Sequence, residues 1–275
     1  MDGGKWTSNW QHRQHAVHFD FRAAMPIGML IREYESFSDV VLLTRAIQQG
    51  ITDVVEIGSA TGEFFRYLRA KHPHVRYRGY DISEPAVRRA LEKYPGGPFM
   101  TFTGDPASLV EVTGGNGTPG AVYCKDVMHH QVRPLEFLTA LMRIPKDALI
   151  LRCRTRDAGP TEWDPEKSCQ YHYDGSVPYI VTNVDELVEH IQNAFPDAEI
   201  VVLRNRMILG GLHKRNLPAD CSRLETGTAE SAIGIFFHSS SRGKVRIEDR
   251  RDGDPRYTLA DRLWFGAARL KRALG

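Results

Sequence analysis

The segment Val54-Val55-Glu56-Ile57-Gly58-Ser59-Ala60-Thr61-Gly62-Glu63-Phe64-Phe65 constrains this chain more than any other stretch. An apolar run ends in an acid, two glycines bracket a short turn, and Phe64, Phe65 and Leu68 follow at spacings that suit one helix face. A strand that turns sharply into a helix needs glycine where the backbone takes positive φ or packs closely. The helix start leaves N–H groups without intrahelical partners, so the turn can cradle a nucleotide-type ligand. It is not the dinucleotide cradle, whose G-x-G-x-x-G spacing lets the backbone approach a pyrophosphate. Here the pattern is Glu-x-Gly-x-x-x-Gly.

Around this turn the chain alternates. Apolar runs near 53–57, 76–80, 99–103, 120–124 and 148–153 read as strands, and the segments between them carry helical periodicity or helix punctuation. Phe37, Val40, Val41 and Ile47 share a face between Ser36 and Gln49, with Asp39 in the first turn and Gly50 as a stop. Ser83-Glu84-Pro85 is a helix start, followed by Val87, Ala90, Leu91 and Tyr94. Leu135, Leu138, Leu141 and Met142 form another stripe, and Asn183-Val184-Asp185-Glu186 opens a further helix in capping-box style. Late strands are expected near 199–204 and 232–238, joined without a helix and so antiparallel. Strand–helix alternation of this kind gives an α/β fold, a parallel sheet with helices on both faces.

Four acids punctuate that sheet. Glu56, Asp81, Asp105 and Asp126 each stand at or just past the end of a predicted strand, about one βα unit apart. The carboxyl ends of parallel strands share one rim, and ligands of open α/β sheets bind there. Carboxylates gathered on one rim repel one another unless a ligand brings cations or hydrogen-bond donors. An acid after a strand is also a common helix cap; four in order behind a glycine turn point to a ligand site.

The turn resembles motif I of class I S-adenosyl-L-methionine (SAM)-dependent methyltransferases, Asp/Glu-x-Gly-x-Gly-x-Gly, with Ala60 where the family has its middle glycine. The resemblance covers about residues 35–240 and is most specific over 54–130. It implies a Rossmann-like, seven-stranded, mostly parallel sheet with an antiparallel edge strand. It also implies SAM as cofactor, bound by Glu56, Gly58, Ser59, Gly62, Asp81, Ile82, Asp105, Pro106 and Asp126. In that assignment Gly58 and Gly62 admit the methionine moiety and ribose, and Glu56 orders the loop and the amino group. Asp81 holds the ribose hydroxyls, Asp105 takes the adenine amine, and Asp126 stands near the sulfonium and the methyl acceptor.

After Asp126 comes Val127-Met128-His129-His130-Gln131. Methyl transfer from a sulfonium is an in-line displacement, so the protein must position the acceptor and remove its proton. Histidine suits that near neutral pH, which makes His129, His130 and Asp126 the catalytic candidates. Adjacent histidine side chains diverge and no carboxylate cluster accompanies them, so no metal is expected. The Asn/Asp-Pro-Pro-Tyr/Phe motif of amino-methylating nucleic-acid enzymes is absent; that place reads Lys125-Asp126-Val127-Met128. The expected acceptor is a small molecule, sugar or glycan methylated on a hydroxyl oxygen. The rivals are an RNA methyltransferase, a nicotinamide-dependent oxidoreductase, which would need the missing pyrophosphate fingerprint, and a non-catalytic SAM-fold subunit.

Composition sets the remaining bounds. With 36 Lys/Arg against 34 Asp/Glu the whole chain has no polyanion-binding balance. From Arg242 to Gly275, however, ten Lys/Arg face five Asp/Glu. Three parts are expected: an arm over 1–34, a domain over 35–240 and a basic segment over 241–275. The arm is rich in aromatics and histidines (His12, His15, His18), which read as a mixed polar cover or as one metal-binding helix face. The insert at 154–182 carries Trp163, Tyr171, His172, Tyr173 and Tyr179, either as an acceptor pocket or as packing. Over 258–275 an amphipathic helix with Trp264, Phe265, Arg262, Arg269, Lys271 and Arg272 would dock on the domain, on a second copy, or on an anionic membrane. Cys124 and Cys153 lie in apolar runs and no C-x-x-C occurs, so buried thiols in a reducing compartment are expected. With no apolar leader or spanning stretch, the expected location is the cytoplasm, with peripheral contact at the inner membrane face.

Overall fold

The computed structural model describes residues 7–11, 22, 24–105, 108–110, 117–172, 175–206, 215–218, 221, 228–252, 258, 260 and 263. The helices are α1 (Ile27–Glu35), α2 (Ser38–Gln48), α3 (Glu63–Lys71), α4 (Glu84–Lys93), α5 (Pro134–Met142) and α6 (Val184–Ala194). The strands are β1 (Asp53–Ile57), β2 (Arg76–Asp81), β3 (Phe99–Thr101), β4 (Ala121–Lys125), β5 (Ala148–Arg156), β6 (Cys169–His172), β7 (Gly175–Pro178), β8 (Thr182–Asn183), β9 (Glu199–Asn205), β10 (Arg215–Asn216), β11 (Thr228–Phe236) and β12 (Val245–Asp249). Short 3-10 turns cover Thr7–Gln11 and Met128–His130.

The main sheet runs β12-β9-β11-β5-β4-β1-β2-β3, with β8 added beside the end of β5. Among the described residues it therefore has nine strands rather than seven. The reversed strand is β11, antiparallel to both β5 and β9, so it lies inside the sheet and not at its edge. The edge is β12, parallel to β9. Its Val-Arg-Ile-Glu-Asp sequence is mostly exposed and carries no apolar run, which is why composition did not mark it. Charged, short edge strands of this kind resist pairing with another chain.

Burial divides along the two faces. On one, Met29 and Leu30 of α1, Leu42 and Leu43 of α2 and Phe64 of α3 pack on Val54, Tyr123 and Ile150. On the other, Phe137 and Leu141 of α5 and Leu187 and Ile191 of α6 cover Val55, Val122 and Leu149. Successive strand residues point to opposite faces, so Val54-Val55 of β1, Ala121–Cys124 of β4 and Ala148–Leu151 of β5 read as apolar runs because both faces are covered. Residues 27–34, assigned to the arm by composition, form most of α1 and belong to the core. Caps match their sequence signals at two starts: Ser83 Oγ accepts from Ala86 N at 3.3 Å, and Asn183 Oδ1 accepts from Asp185 N at 2.8 Å. Glu186 does not close a capping box; its carboxylate accepts from Thr161 N at 3.2 Å and from the Thr161 hydroxyl.

The insert begins only after β5 has run on to Arg156, and its β6 and β7 form a small antiparallel sheet with β10 from beyond β9, in the order β10-β6-β7. Its aromatics separate: Tyr179 is buried, while Trp163 and Tyr171 are exposed. All four cysteines are buried free thiols. Among the described residues no helix is long and apolar enough to cross a membrane. Pro106, His12, His15, His18 and nearly all of the helix expected over 258–275 lie outside the described residues.

Candidate active site

Sheet order brings the four acids to one edge. β3, β2, β1 and β4 are neighbours, with Asp81 opposite Thr101, Ile57 opposite Tyr80, and Cys124 opposite Ile57. Glu56, Asp81, Asp105 and Asp126 thus stand in the order Asp105, Asp81, Glu56, Asp126 along the carboxyl ends of adjacent strands. Their environments differ, and with them the chemistry each can do.

At the centre is the turn after β1. Gly58, Ala60 and Gly62 all take positive φ, 85°, 45° and 83°. Gly58 N and Ser59 N both donate to Tyr80 O, at 2.7 and 3.1 Å, which ties the turn to β2. A Cβ on Gly58 would collide with Val127 Cγ2, so the turn and the loop after β4 press directly on each other. Ala60 holds a left-handed backbone that glycine adopts without steric cost. Ser59 is buried, and its Oγ has no hydrogen-bond partner among the described residues.

Asp81 fastens this turn from the side. Its Oδ2 accepts from Ala60 N and its Oδ1 from Ser83 N, both at 2.8 Å. Burial pushes its pKa up, while the amides of Ser83, Ala60 and Ile82 pull it down. A carboxylate offers about four lone-pair sites, more than these amides use. Ile82 O accepts from Gln11 Nε2 at 2.6 Å, and Gln11 Oε1 accepts from Glu84 N at 3.1 Å. The Thr7–Gln11 segment therefore lies over the end of β2. Asp105 is exposed beyond β3, next to Gly104, where a Cβ would stand 3.2 Å from Ile82 Cγ2.

Glu56 points into the face covered by α1 and α3. It is 4% exposed and accepts a short hydrogen bond from the Tyr77 hydroxyl. Burial raises its pKa to about 8, against the opposing pull of that hydrogen bond and of Lys125. Lys125 is itself lowered to about 8, by burial first and by Arg152 next. Its ammonium lies 4.4 Å from the Phe37 ring centroid.

Asp126 has φ of 59°, rare for a residue with a side chain. Its carboxylate is gripped twice by Arg152, from Nε to Oδ1 at 2.9 Å and from Nη2 to Oδ2. Burial alone would raise its pKa, but Arg152 holds it well below the usual carboxylate range. A carboxylate so held is a poor proton acceptor, so among the catalytic candidates Asp126 is suited to charge and positioning rather than to taking a proton. Arg152 also reaches Glu230 at 3.8 Å and Asp39 at 3.9 Å, and Asp39 accepts a short hydrogen bond from the Tyr123 hydroxyl. Asp39 lies in the first turn of α2, as its sequence position predicts, and it is also fully buried in this network.

The two histidine rings lie side by side, 4.3 Å between centroids, but in different environments. His129 is 5% exposed, and burial, then His130, push its pKa well below the ordinary imidazole value. Its Nδ1 is buried without a hydrogen-bond partner among the described residues. His130 is half-buried, with Nδ1 2.9 Å from Pro178 O. A carbonyl only accepts, so Nδ1 carries the hydrogen and Nε2 of the neutral ring is the basic nitrogen. The Trp10 ring meets His130 edge-on at 4.9 Å. Tyr179 packs against both imidazoles, at 4.8 and 5.5 Å.

Arg152, Arg154, Glu230 and Gln11 do not figure among the residues that the sequence marks, whereas Tyr179 does, as one aromatic of the insert. For the arginines a signal existed: Arg152, Arg154 and Arg156 recur at period two inside an otherwise apolar strand, so they share one face. Gln11 gave none, because its contacts are with residues more than seventy positions away. Among the described residues no group of three or more His, Cys, Asp or Glu side chains could hold a metal ion.

Residues 30–205 match the family described as a methyltransferase domain. Among solved structures, the chain is similar to the plantazolicin methyltransferase BpumL in complex with S-adenosyl-L-homocysteine (SAH), at 12% identity and TM-score 0.51, covering 85% of this chain and 94% of that one. It is likewise similar to the SAH-bound O-methyltransferase of a trans-AT PKS multienzyme of Brevibacillus brevis, at 13% identity and TM-score 0.51, covering 84% and 76%. No curated protein matches. The chain belongs to the methyltransferase-domain family and is a SAM-dependent methyltransferase.

Proposed function

We propose that the protein transfers a methyl group to a hydroxyl oxygen of a small-molecule, sugar or glycan acceptor, with His130 as the base. The observation that carries this is the meeting of the amide-anchored Asp81, the glycine turn and the Nδ1-pinned His130 on one rim.

The residues of the turn fit the cofactor. Gly58 leaves no room for a Cβ, and the left-handed turn exposes backbone to a close ligand rather than to side chains. Gly58, Ser59 and Gly62 would hold the methionine moiety, and Asp81 the ribose hydroxyls through the lone pairs its amide bonds leave. Ile82 and Asp105 would flank the adenine. Glu56 would meet the amino group, at a cost set by its burial. SAM supplies an electrophilic methyl carried on a positively charged sulfur.

The chain's own work is to hold the acceptor in line and to take its proton. The Pro178 carbonyl fixes the tautomer of His130, so Nε2 can receive the hydroxyl proton as the oxygen gains its methyl. His129, kept neutral by burial among cationic neighbours, suits orientation better than proton transfer. Trp10, on a segment anchored by Gln11, would exclude water from the same edge.

Turnover on a hydroxylated acceptor found by panel screening tests the base. His130→Ala is expected to lower kcat roughly 10²- to 10⁴-fold with SAM affinity unchanged. His129→Ala should lower thermal stability more than it lowers kcat. A His130→Ala enzyme with wild-type kcat would remove His130 from the chemistry.

A further inference from the structure

We propose that the acceptor carries a carboxylate, held by Arg154 and Arg215 beside Tyr179. This rests on the methyltransferase site proposed above and deepens it.

Arg154 is 5% exposed, on the face of β5 that also carries Arg152. Its Nε donates to the Tyr179 hydroxyl at 2.7 Å. Its Nη1 is buried and has no hydrogen-bond partner among the described residues. Buried guanidinium nitrogens are nearly always paired, and one left without a partner needs an explanation. The acids nearest by sheet register are already committed. Glu230 lies directly opposite Arg154 in β11, but its carboxylate leans to Arg152, as does that of Asp126. The positive charge of Arg152 is thus met from three sides, by Asp126, Glu230 and Asp39.

A second guanidinium approaches the same ring. Arg215 Cζ stands 4.3 Å from the Tyr179 centroid, and Arg215 Nε donates to Gln170 Oε1 at 3.3 Å. The same ring packs against both histidines, and His129 Nδ1 is also buried and without a partner among the described residues. One phenol therefore contacts both guanidiniums and the pair of imidazoles that would meet the reacting hydroxyl. Guanidinium recognises a carboxylate through parallel N–H donors, and Nη1 is a donor in waiting. Glu230 and Asp126 remain close enough to weigh against a dianion, which favours a monoanionic carboxylate over a phosphate. The acceptor class is then a hydroxy acid or uronic acid, with its carboxylate on Arg154 and its hydroxyl toward His130.

The test is calorimetric titration of the SAH-loaded protein with benzoate, 4-hydroxybenzoate, 3-phenylpropionate and galacturonate, each beside its carboxamide. At least one acid is expected to bind tenfold or more tightly than its amide, and Arg154→Gln should erase that preference while SAH binding stays as in the wild type. Should Arg154→Gln not fold, Arg215→Gln carries the same comparison and is expected to weaken the acid several-fold and not the amide. If no acid outbinds its amide, or if the preference survives both variants, the proposal is overturned. If SAH itself does not bind, the underlying cofactor site fails, a result distinguishable from the first.

Discussion

Replacing Arg152 with methionine is expected to destabilise the protein by about 3 kcal/mol at neutral pH. Arg152 is 8% exposed and sits among Asp126, Glu230 and Asp39. Methionine keeps the bulk but leaves three acids without their common cation. Breaking a buried pair by removing one partner costs about 3–5 kcal/mol, because the remaining charge stays desolvated. The low end applies here, since the Asp126 side chain keeps 37% exposure and is partly screened by solvent.

The pH dependence has a definite sign. In the wild type Asp126 is held well below its ordinary range, so its stabilising contribution is present above the unfolded carboxylate value and lost as pH falls through the folded one. Without Arg152, burial dominates and Asp126 becomes a liability that protonation relieves. The stability gap between wild type and Arg152→Met should therefore be widest at neutral pH and narrow on acidification. Urea denaturation at several pH values measures it. A gap that widens toward acid would contradict the pairing.

Gly58→Ala should be nearly as damaging and should also abolish cofactor binding. The added methyl meets Val127 Cγ2, and the backbone at φ of 85° is one that a side chain disfavours. The conformational term is roughly 1–2 kcal/mol, and forcing a methyl into a packed site adds about 1–3 kcal/mol. Relief requires the Val127 side chain, the turn, or the loop that carries His129 and His130 to move, so the clash strains both halves of the site. Thermal denaturation with and without SAM separates the effects: a lower melting temperature and no SAM-induced rise. Ala60→Gly is the contrast, because it relaxes a strained residue and restores the family's glycine pattern.

Much of this architecture was legible because the relevant signals are local. The glycine turn, the doubly buried strands and the acids after them follow from short-range patterns, and topology then carries Glu56, Asp81, Asp105 and Asp126 to one rim. What escaped is long-range. Asp126 looks from sequence like the other three acids, yet Arg152, 26 residues on, removes its basicity. Asp39 reads as a helix-start acid, but Tyr123 and Arg152 bury it. β12 went unseen because an exposed edge strand needs no apolar stripe. The reversed β11 was expected at the edge, since pairing order between late strands depends on contacts that periodicity does not encode.

Calorimetric titration with SAM, run in parallel on the wild type and Asp81→Ala, bears most directly on the site. Asp81 links the turn at Ala60 to the start of α4 at Ser83, and it is the carboxylate offered to the ribose. One-to-one binding by the wild type, weakened at least a hundredfold in a folded Asp81→Ala protein, is the predicted result. Equal affinity in the two proteins would contradict it and would leave the rim of acids without its ligand.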